Sequence, residues 1–304
     1  MPSRPIQFLL VGAHPADSFD QAGGTLAHHA ARGDKVTVAI ATTGVRSHHS
    51  ILLEAKRAGR DPGDVEKQVK EATEQKLQEA RAACRILGYD DVRTLGYEDD
   101  DVLVTQEKIE AIADVIREVK PDVIITHHPF EGGGLKMHGT IGQATIHAWQ
   151  VAYGLGRGGQ QPHKASVLYF MSSINHYGFS TLDYAGTARA ELYIDITDVI
   201  DKKVRAYDQI YSQFFGGSYS RKTVETEDAR YGQAAGCAYA ECFQRYRPMV
   251  RYTLPITDFD LNAVTESHEV VRRRRTEMTG AFMPMPPGKG FETGLRVPAA
   301  MYDK

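Results

Sequence analysis

Cysteine is scarce: Cys84, Cys237 and Cys242 are the only three in 304 residues. An odd number without CxxC spacing cannot make a complete disulfide framework, so a reducing compartment, the cytoplasm, is the expected location. Cys84 sits in a helical pattern between Ala82-Ala83 and Ile86-Leu87 and reads as a packed core thiol rather than a nucleophile. No apolar run reaches membrane-spanning length, and Met1-Pro2-Ser3-Arg4-Pro5 leads into the first strand without the h-region of a signal peptide. A membrane is therefore not an expected partner. Nor does charge of one sign dominate, since 36 Lys+Arg stand against 39 Asp+Glu and the formal charge is -3. Without a global positive field, nucleic acid is not expected either. The single basic run, Arg272 to Arg275, reads as a solvated helix face or an intersubunit salt-bridge patch. Phosphate-cradling GxGxxG and GxxxxGK[ST] arrangements are missing from the first strand-to-helix turn, and no repeat recurs at solenoid spacing.

What is present is alternation of strand and helix. Apolar runs at Ile6–Val11, Lys35–Thr42, Val92–Leu95, Val123–Thr126, Val167–Met171 and Leu192–Ile196 read as strands. Helical patterns fill Asp20–Ala31, Val69–Leu87 (closed by Gly88) and Thr105–Val119, and a later helix contains Val204, Tyr207 and Ile210. This order predicts an α/β fold of Rossmann-like type, a doubly wound and mostly parallel sheet flanked by helices. Residues 1–248 are expected to form one catalytic domain. From 249 to 304 the chain becomes irregular, and Met283-Pro284-Met285-Pro286-Pro287-Gly288 resembles an extended arm that contacts a neighbouring subunit in a homo-oligomer.

Chemistry concentrates where strands end. Val11-Gly12-Ala13-His14-Pro15-Ala16-Asp17 puts an imidazole and a carboxylate at the carboxyl end of the first strand, where open α/β sheets bind ligands. His138 follows another strand, so His14, Asp17 and His138 form a candidate three-ligand set for Zn2+ or another divalent metal, with a position left open. On spacing alone, His14 could equally cap an element and Asp17 accept backbone hydrogen bonds. The second strand runs into Arg46, His48 and His49, groups suited to hold a carboxylated substrate. Asp99 and Asp100 offer another polar edge, with Asp100 the substrate-facing candidate and a turn role the alternative. Gly23-Gly24 reads as a pair that lets its helix approach neighbouring chain closely.

The motifs His14-Pro15-Ala16-Asp17, Gly23-Gly24-Thr25-Leu26, Pro121-Asp122-Val123-Ile124-Ile125-Thr126-His127, His138, Asp195-Ile196-Thr197, Ala229-Arg230-Tyr231-Gly232 and Tyr239-Ala240-Glu241-Cys242-Phe243 together resemble the PIG-L/LmbE superfamily. The resemblance runs from about Ile6 to Pro248. It implies a zinc-dependent enzyme, because the superfamily includes N-acetylglucosaminyl de-N-acetylases and a smaller hydratase branch. It also implies a place near the cavity or in its wall for Arg230, Tyr231 and Glu241, for which the plainer reading is pairing of Arg230 with Glu241 across a helical surface or between elements and packing of the Tyr231 ring.

Two departures from the deacetylase pattern stand out. The usual first loop reads His-Pro-Asp-Asp, with the first aspartate as general base; here Ala16 holds that place and Asp17 keeps the metal position. Family deacetylases commonly carry His-Pro-Asp-His where this chain has Leu135-Lys136-Met137-His138, so an acid-catalytic histidine and its acidic partner are missing. Glu131, His128 and Lys136 are the candidate replacements, Glu131 as relocated base and the other two in proton transfer or oxyanion stabilisation. The expected function is metal-dependent hydrolysis of a C-N amide bond in a small polar substrate. Hydration of an unsaturated carboxylated metabolite is the alternative, and a non-catalytic zinc or ligand-binding protein the third reading.

Overall fold

In the computed structural model the described residues are 4–59, 65–131, 136–171, 190–263 and 265–276. Seven strands form one sheet: β1 (Gln7–Gly12), β2 (Lys35–Thr42), β3 (Asp91–Tyr97), β4 (Val123–His127), β5 (Val167–Met171), β6 (Leu192–Asp195) and β7 (Ala240–Arg245), in the order β3-β2-β1-β4-β5-β7-β6. The first five pair in parallel, and β7 inserts antiparallel between β5 and β6. The helices are α1 (Gly23–Ala31), α2 (Val45–His48), α3 (Ser50–Arg57), α4 (Val65–Leu87), α5 (Gln106–Val119), α6 (Lys136–Val151), α7 (Ile200–Tyr207), α8 (Ser218–Thr226), α9 (Asp228–Ala235), α10 (Asp258–Ala263) and α11 (His268–Thr276).

Side chains alternate across a strand, so a sheet covered on both faces needs apolar residues at nearly every position. Phe8, Leu10, Val38 and Ile40 point to one face, where α1, α4 and α7 contribute Leu26, Ala83, Cys84, Leu87 and Val204. Leu9, Val11, Ala39 and Ala41 point to the other, against Ile112 and Ile116 of α5 and Ile141, Ala144 and Ala148 of α6. Two cores on one sheet make the fold doubly wound and Rossmann-like, as the strand and helix alternation predicts. Thr105 caps α5 by accepting from the Lys108 amide at 3.3 Å, and Gly88 ends α4 at φ +100, a left-handed turn suited to glycine.

The strand order reverses direction between β1 and β4. At such a switch point the connections leave toward opposite faces, and a crevice opens at the carboxyl ends of the strands. Gly142 tightens it, because a β-carbon there would collide with the His127 carbonyl oxygen. Gly142→Ala is therefore expected to cost about 1–3 kcal/mol by overpacking and to push α6, with His138, away from β4. A urea melt that matches wild type would refute this. The Gly23-Gly24 pair has the packing surroundings that close approach requires: a β-carbon on Gly24 would lie 2.7 Å from Ile196, and one on Gly23 3.0 Å from Leu87 and Phe19.

Some elements differ from the sequence expectation. The run after β2 is not an open loop but two short helices, α2 and α3, the second capped by His49, whose Nδ1 accepts from the Leu52 amide at 3.2 Å. Ala240–Arg245 is a strand, so Glu241 is not on a helical surface; it is buried and paired with Lys203 at 2.8 Å rather than with Arg230. Beyond β7 the described chain includes α10 and α11, where irregular structure was expected. The arm at Met283 to Gly288 lies outside the described residues. Among the described residues no helix is long and apolar enough to cross a membrane.

Candidate metal centre

The loop leaving β1 makes a single 3-10 turn, Pro15–Ser18, started by Pro15, whose fixed φ suits a first helical position. The turn folds Asp17 back so that Oδ2 accepts from the His14 amide at 2.6 Å. Across the switch point, β4 delivers His127, and α6 delivers His138 from its first turn. His14 Nδ1 and His138 Nε2 lie 3.2 Å apart, and His138 Nε2 is 3.6 Å from Asp17 Oδ1. One donor atom from each of His14, Asp17 and His138 falls within 4.8 Å of the others, and all three residues are buried. The structure thus brings the three sequence candidates together.

Whether this trio suits a metal is tested by what lies behind each histidine. A metal-ligating imidazole usually gives its second nitrogen to a carboxylate, which fixes tautomer and ring orientation. His14 turns Nε2 toward Asp99 Oδ1 at 3.4 Å. His138 turns Nδ1 toward Glu131 Oε1 at 2.5 Å. Both rings therefore have a carboxylate on the far nitrogen and present the near nitrogen to the same small volume beside Asp17. Two imidazoles, one carboxylate and two supporting carboxylates form a donor set that fits a divalent ion of zinc type. A second trio of donor atoms, His127, Glu131 and His138, also lies within reach of one ion. It would need the His138 nitrogen already bonded to Glu131, so the first trio is the better seat.

Charge at the centre follows the same geometry. Burial disfavours the ionised form of Asp17, but the charges of His138 and His127 and bonds from His127 and His14 outweigh it and hold the carboxyl well below its ordinary range. Burial also disfavours a charged His14 ring, yet Asp17 and Asp99 reverse the effect and raise its pKa to about 9. In His127, Asp17 and Glu131 likewise overcome burial and raise it to about 10. His138 moves the other way, lowered by burial and by the charge of His127. In metal-free protein these shifts carry a sign. Raised histidines stabilise the fold fully below their ordinary value of 6.5 and lose that contribution as pH climbs through about 9 and 10. The lowered Asp17 and Glu131 contribute above their ordinary values of 3.8 and 4.5 and lose it as pH falls. The thermal midpoint of metal-free protein is expected to decline on the alkaline side from about pH 7 to 10, and His14→Asn should flatten that decline; an identical alkaline slope in the variant would contradict it.

Other sequence candidates fall elsewhere. Glu131 lies on Nδ1 of His138, with Oε1 at 2.5 Å and Oε2 3.3 Å from His127 Nδ1. His128 is buried away from the trio, its Nδ1 accepting from the Phe130 amide at 3.2 Å and its ring edge against Phe170. Arg46 is exposed and paired with Glu66 and Glu98. Asp100 is exposed, while its neighbour Asp99 turns inward and is held by Thr42 and Ser47. Arg230 is exposed on α9 with its guanidinium over the Tyr231 ring. His49 is buried, and its Nε2 has no hydrogen-bond partner. The side chains of His48 and Lys136 lie outside the described residues.

Sequence reasoning passed over His127 as a site residue and named Asp99 only as part of a polar edge, not as the partner of His14. His127 is the last residue of β4, and its Nε2 lies 3.0 Å from Asp17 Oδ2 and 3.1 Å from the Ala13 amide nitrogen. Position alone was the available signal, since both residues sit at or just beyond the carboxyl end of a strand on the ligand side of the sheet.

A mostly parallel α/β sheet with a buried two-histidine, one-carboxylate cluster at its switch point defines the class: a Rossmann-like protein with a candidate divalent-metal centre. Residues 9–149 match the family described as PIG-L: GlcNAc-PI de-N-acetylase. Over that segment, somewhat under half of its length, the chain is similar to the PIG-L family. It is 29% identical over 188 residues to a 1D-myo-inositol 2-acetamido-2-deoxy-alpha-D-glucopyranoside deacetylase of Streptomyces griseus, covering 56% of each chain. A probable N-acetyl-alpha-D-glucosaminyl L-malate deacetylase 2 of Bacillus cereus is 34% identical over 146 residues, covering 46% of this chain and 59% of that one. The chain thus spans somewhat more than half the length of these curated relatives. The fold is shared with the 4-carboxy-2-hydroxymuconate hydratase of Pseudomonas putida at TM-score 0.65 and 24% identity, over 82% of this chain and 100% of that one. It is also shared with the N,N'-diacetylchitobiose deacetylase of Pyrococcus horikoshii at TM-score 0.62 and 18% identity, over 78% and 82% of the two chains.

Proposed function

We propose that this protein is a divalent-metal-dependent enzyme that adds water to an unsaturated carboxylated metabolite, with His14, Asp17 and His138 holding the metal. The observation that carries this reading is the fate of the acid and base positions. Ala16 is buried where the deacetylase pattern has its base, and Glu131 is committed to His138. His128 is committed to the backbone of its own turn. Amide hydrolysis needs a base for the attacking water and an acid for the departing amine. Hydration has no amine to protonate; it delivers its proton to carbon, from a group that need not stand where the deacetylase acid stands.

A divalent metal at this position supplies Lewis acidity toward water and substrate oxygens. The protein's own part is positional. Asp99 and Glu131 set the tautomers of His14 and His138 so that their inner nitrogens carry lone pairs. His127, at the edge of the trio and flanked by Asp17 and Glu131, holds a proton at Nε2 or Nδ1 and is the group best placed to deliver one. Burial of all these groups excludes bulk water. His49 Nε2 and Arg46 supply the polar contacts for a carboxylate on the β2 side, and Arg46 must exchange its Glu66 and Glu98 partners to do so.

The second reading is C-N amide hydrolysis, favoured by the curated relatives, whose names are deacetylases. Metal-loaded protein offered both an N-acetylated amino sugar conjugate and a conjugated unsaturated dicarboxylate separates the two. Decay of the conjugated ultraviolet absorbance without fragmentation supports hydration, whereas stoichiometric release of acetate and a primary amine would replace it with hydrolysis. Neither reaction, with metal bound, would leave the binding-protein reading.

A further inference from the structure

Three lysines are almost completely buried among the described residues: Lys76, Lys108 and Lys203. Lys108 pairs with Asp101 at 2.6 Å, and Lys203 pairs with Asp228 and Glu241 at 2.9 and 2.8 Å. Among the described residues, Lys76 has no carboxylate within ion-pair distance, and one hydrogen bond is found for it. That bond is a long one, 3.5 Å from Nζ to the Gly44 carbonyl oxygen. An ammonium has three donors and is costly to bury, so a lysine that is 1% exposed with so little hydrogen bonding must be compensated by its electrostatic surroundings.

Those surroundings include the turn that holds Asp99, a carboxylate of the candidate metal centre. Lys76 projects from α4 toward Gly44, the left-handed residue that joins β2 to α2. The same turn places Ser47 on Asp99, and Asp99 faces His14 Nε2 at 3.4 Å. The charges that favour the ammonium are Asp99, Glu79 and Asp17. Glu79 is itself engaged by the Ser212 amide and hydroxyl. The other two are a proposed metal ligand and the carboxylate that supports a proposed ligand. Burial lowers the Lys76 pKa to about 8, which leaves the ammonium form dominant at pH 7.

We propose that Lys76 is a charge-setting residue of the metal centre, its buried ammonium drawing on the same carboxylates, Asp17 and Asp99, that an incoming divalent cation would use. The proposal rests on the metal reading above and extends it. A fixed cation behind the centre weakens metal binding, because two positive charges in a water-poor interior repel each other strongly. It also lessens the negative potential that a carboxylated substrate meets, which makes Lys76 a determinant of substrate charge without requiring it to touch substrate.

The test measures Zn2+ affinity of the full chain by competition with a chromogenic chelator, for wild type, Lys76→Met and Lys76→Arg. Methionine keeps length and removes charge; arginine keeps charge. Lys76→Met is expected to bind Zn2+ about tenfold more tightly or better, with Lys76→Arg close to wild type. In the same zinc-loaded samples, acetate is expected to bind Lys76→Met more weakly than wild type. Unchanged Zn2+ affinity in Lys76→Met overturns the proposal, and weaker affinity overturns it in favour of a mechanical hold on the Gly44 turn. If Lys76→Met does not fold, Lys76→Gln repeats the measurement. Failure of both neutral variants beside a folded Lys76→Arg would assign the charge to folding and end the proposal. A wild type that binds no Zn2+ removes the metal reading along with this one, whereas a wild type that binds beside an unaltered Lys76→Met removes this one alone.

Discussion

His14→Ala and His138→Ala are each expected to leave purification without the divalent metal that accompanies wild type, and to show no turnover above background after metal is added back. Each substitution removes one of the three donor side chains that His14, Asp17 and His138 bring together, leaving two. The supporting carboxylates should show a graded effect. Asp99→Asn and Glu131→Gln keep shape but lose the charge behind His14 and His138, and a loss of about 10–100-fold in metal affinity is expected for each. That gradation separates the proposed roles of Glu131. A catalytic base would lower turnover at saturating metal with affinity intact, while a residue that orients His138 would lower affinity first. Metal content by elemental analysis together with chelator competition reads both. Full metal occupancy in either alanine variant would sink the three-ligand assignment.

Lys203→Met is expected to be the most destabilising single substitution outside the centre. Lys203 is buried between Asp228 and Glu241. Glu241 in turn accepts from the Gly24 and Thr25 amides at 2.8 Å, where the first turn of α1 leaves its N-H groups without intrahelical partners. One ammonium thus ties α7, α9, β7 and the start of α1 together. Replacing it strands two carboxylates in the interior, a change that costs about 3–5 kcal/mol and lowers the melting temperature by roughly 10 °C. The pH dependence identifies the cause. Burial already raises the Asp228 pKa to about 7, Lys203 working against that rise and Glu241 adding to it. Without Lys203 the stranded acids take up protons more readily, so the penalty should shrink as pH falls from 8 to 6. Asp228→Asn added to Lys203→Met should recover part of the loss. A variant that melts within 2–3 °C of wild type, about 1 kcal/mol, would show that packing rather than charge holds this junction.

How much of this was legible beforehand can be argued from particular residues. Alternating apolar runs such as Phe8-Leu9-Leu10-Val11 indicate a sheet covered on both faces, because the period of a strand is short and burial demands an apolar side chain on each side. β7 was not read as a strand, since Glu241 interrupts its apolar pattern; only the Lys203 ammonium and the α1 amides make a carboxylate tolerable there. The two short helices α2 and α3 were not read from the sequence for a related reason. Their polar surface carries little periodicity, and His49 caps α3 through a side chain whose role depends on backbone direction.

At the centre, strand-end position and residue chemistry marked out His14, Asp17 and His138, and the superfamily resemblance identified Ala16 as a departure from the deacetylase pattern. Sequence could not choose between His127 and His128, or between Asp99 and Asp100. Adjacent residues have the same chemistry and almost the same place in the chain, but opposite directions, and that direction is set by strand pairing and by the turn that follows. The contact of Glu131 with His138, on which its proposed supporting role rests, has the same origin. Sequence by itself determined the type of sheet, the end of it that carries chemistry and the donor types available. Tertiary structure decided which of two neighbouring side chains faces inward, which carboxylate stands behind which imidazole, and that Lys76 is buried against the Gly44 turn. Those outcomes depend on strand pairing, on the turns that follow and on distances between segments far apart in the chain, which no pattern of residue types encodes.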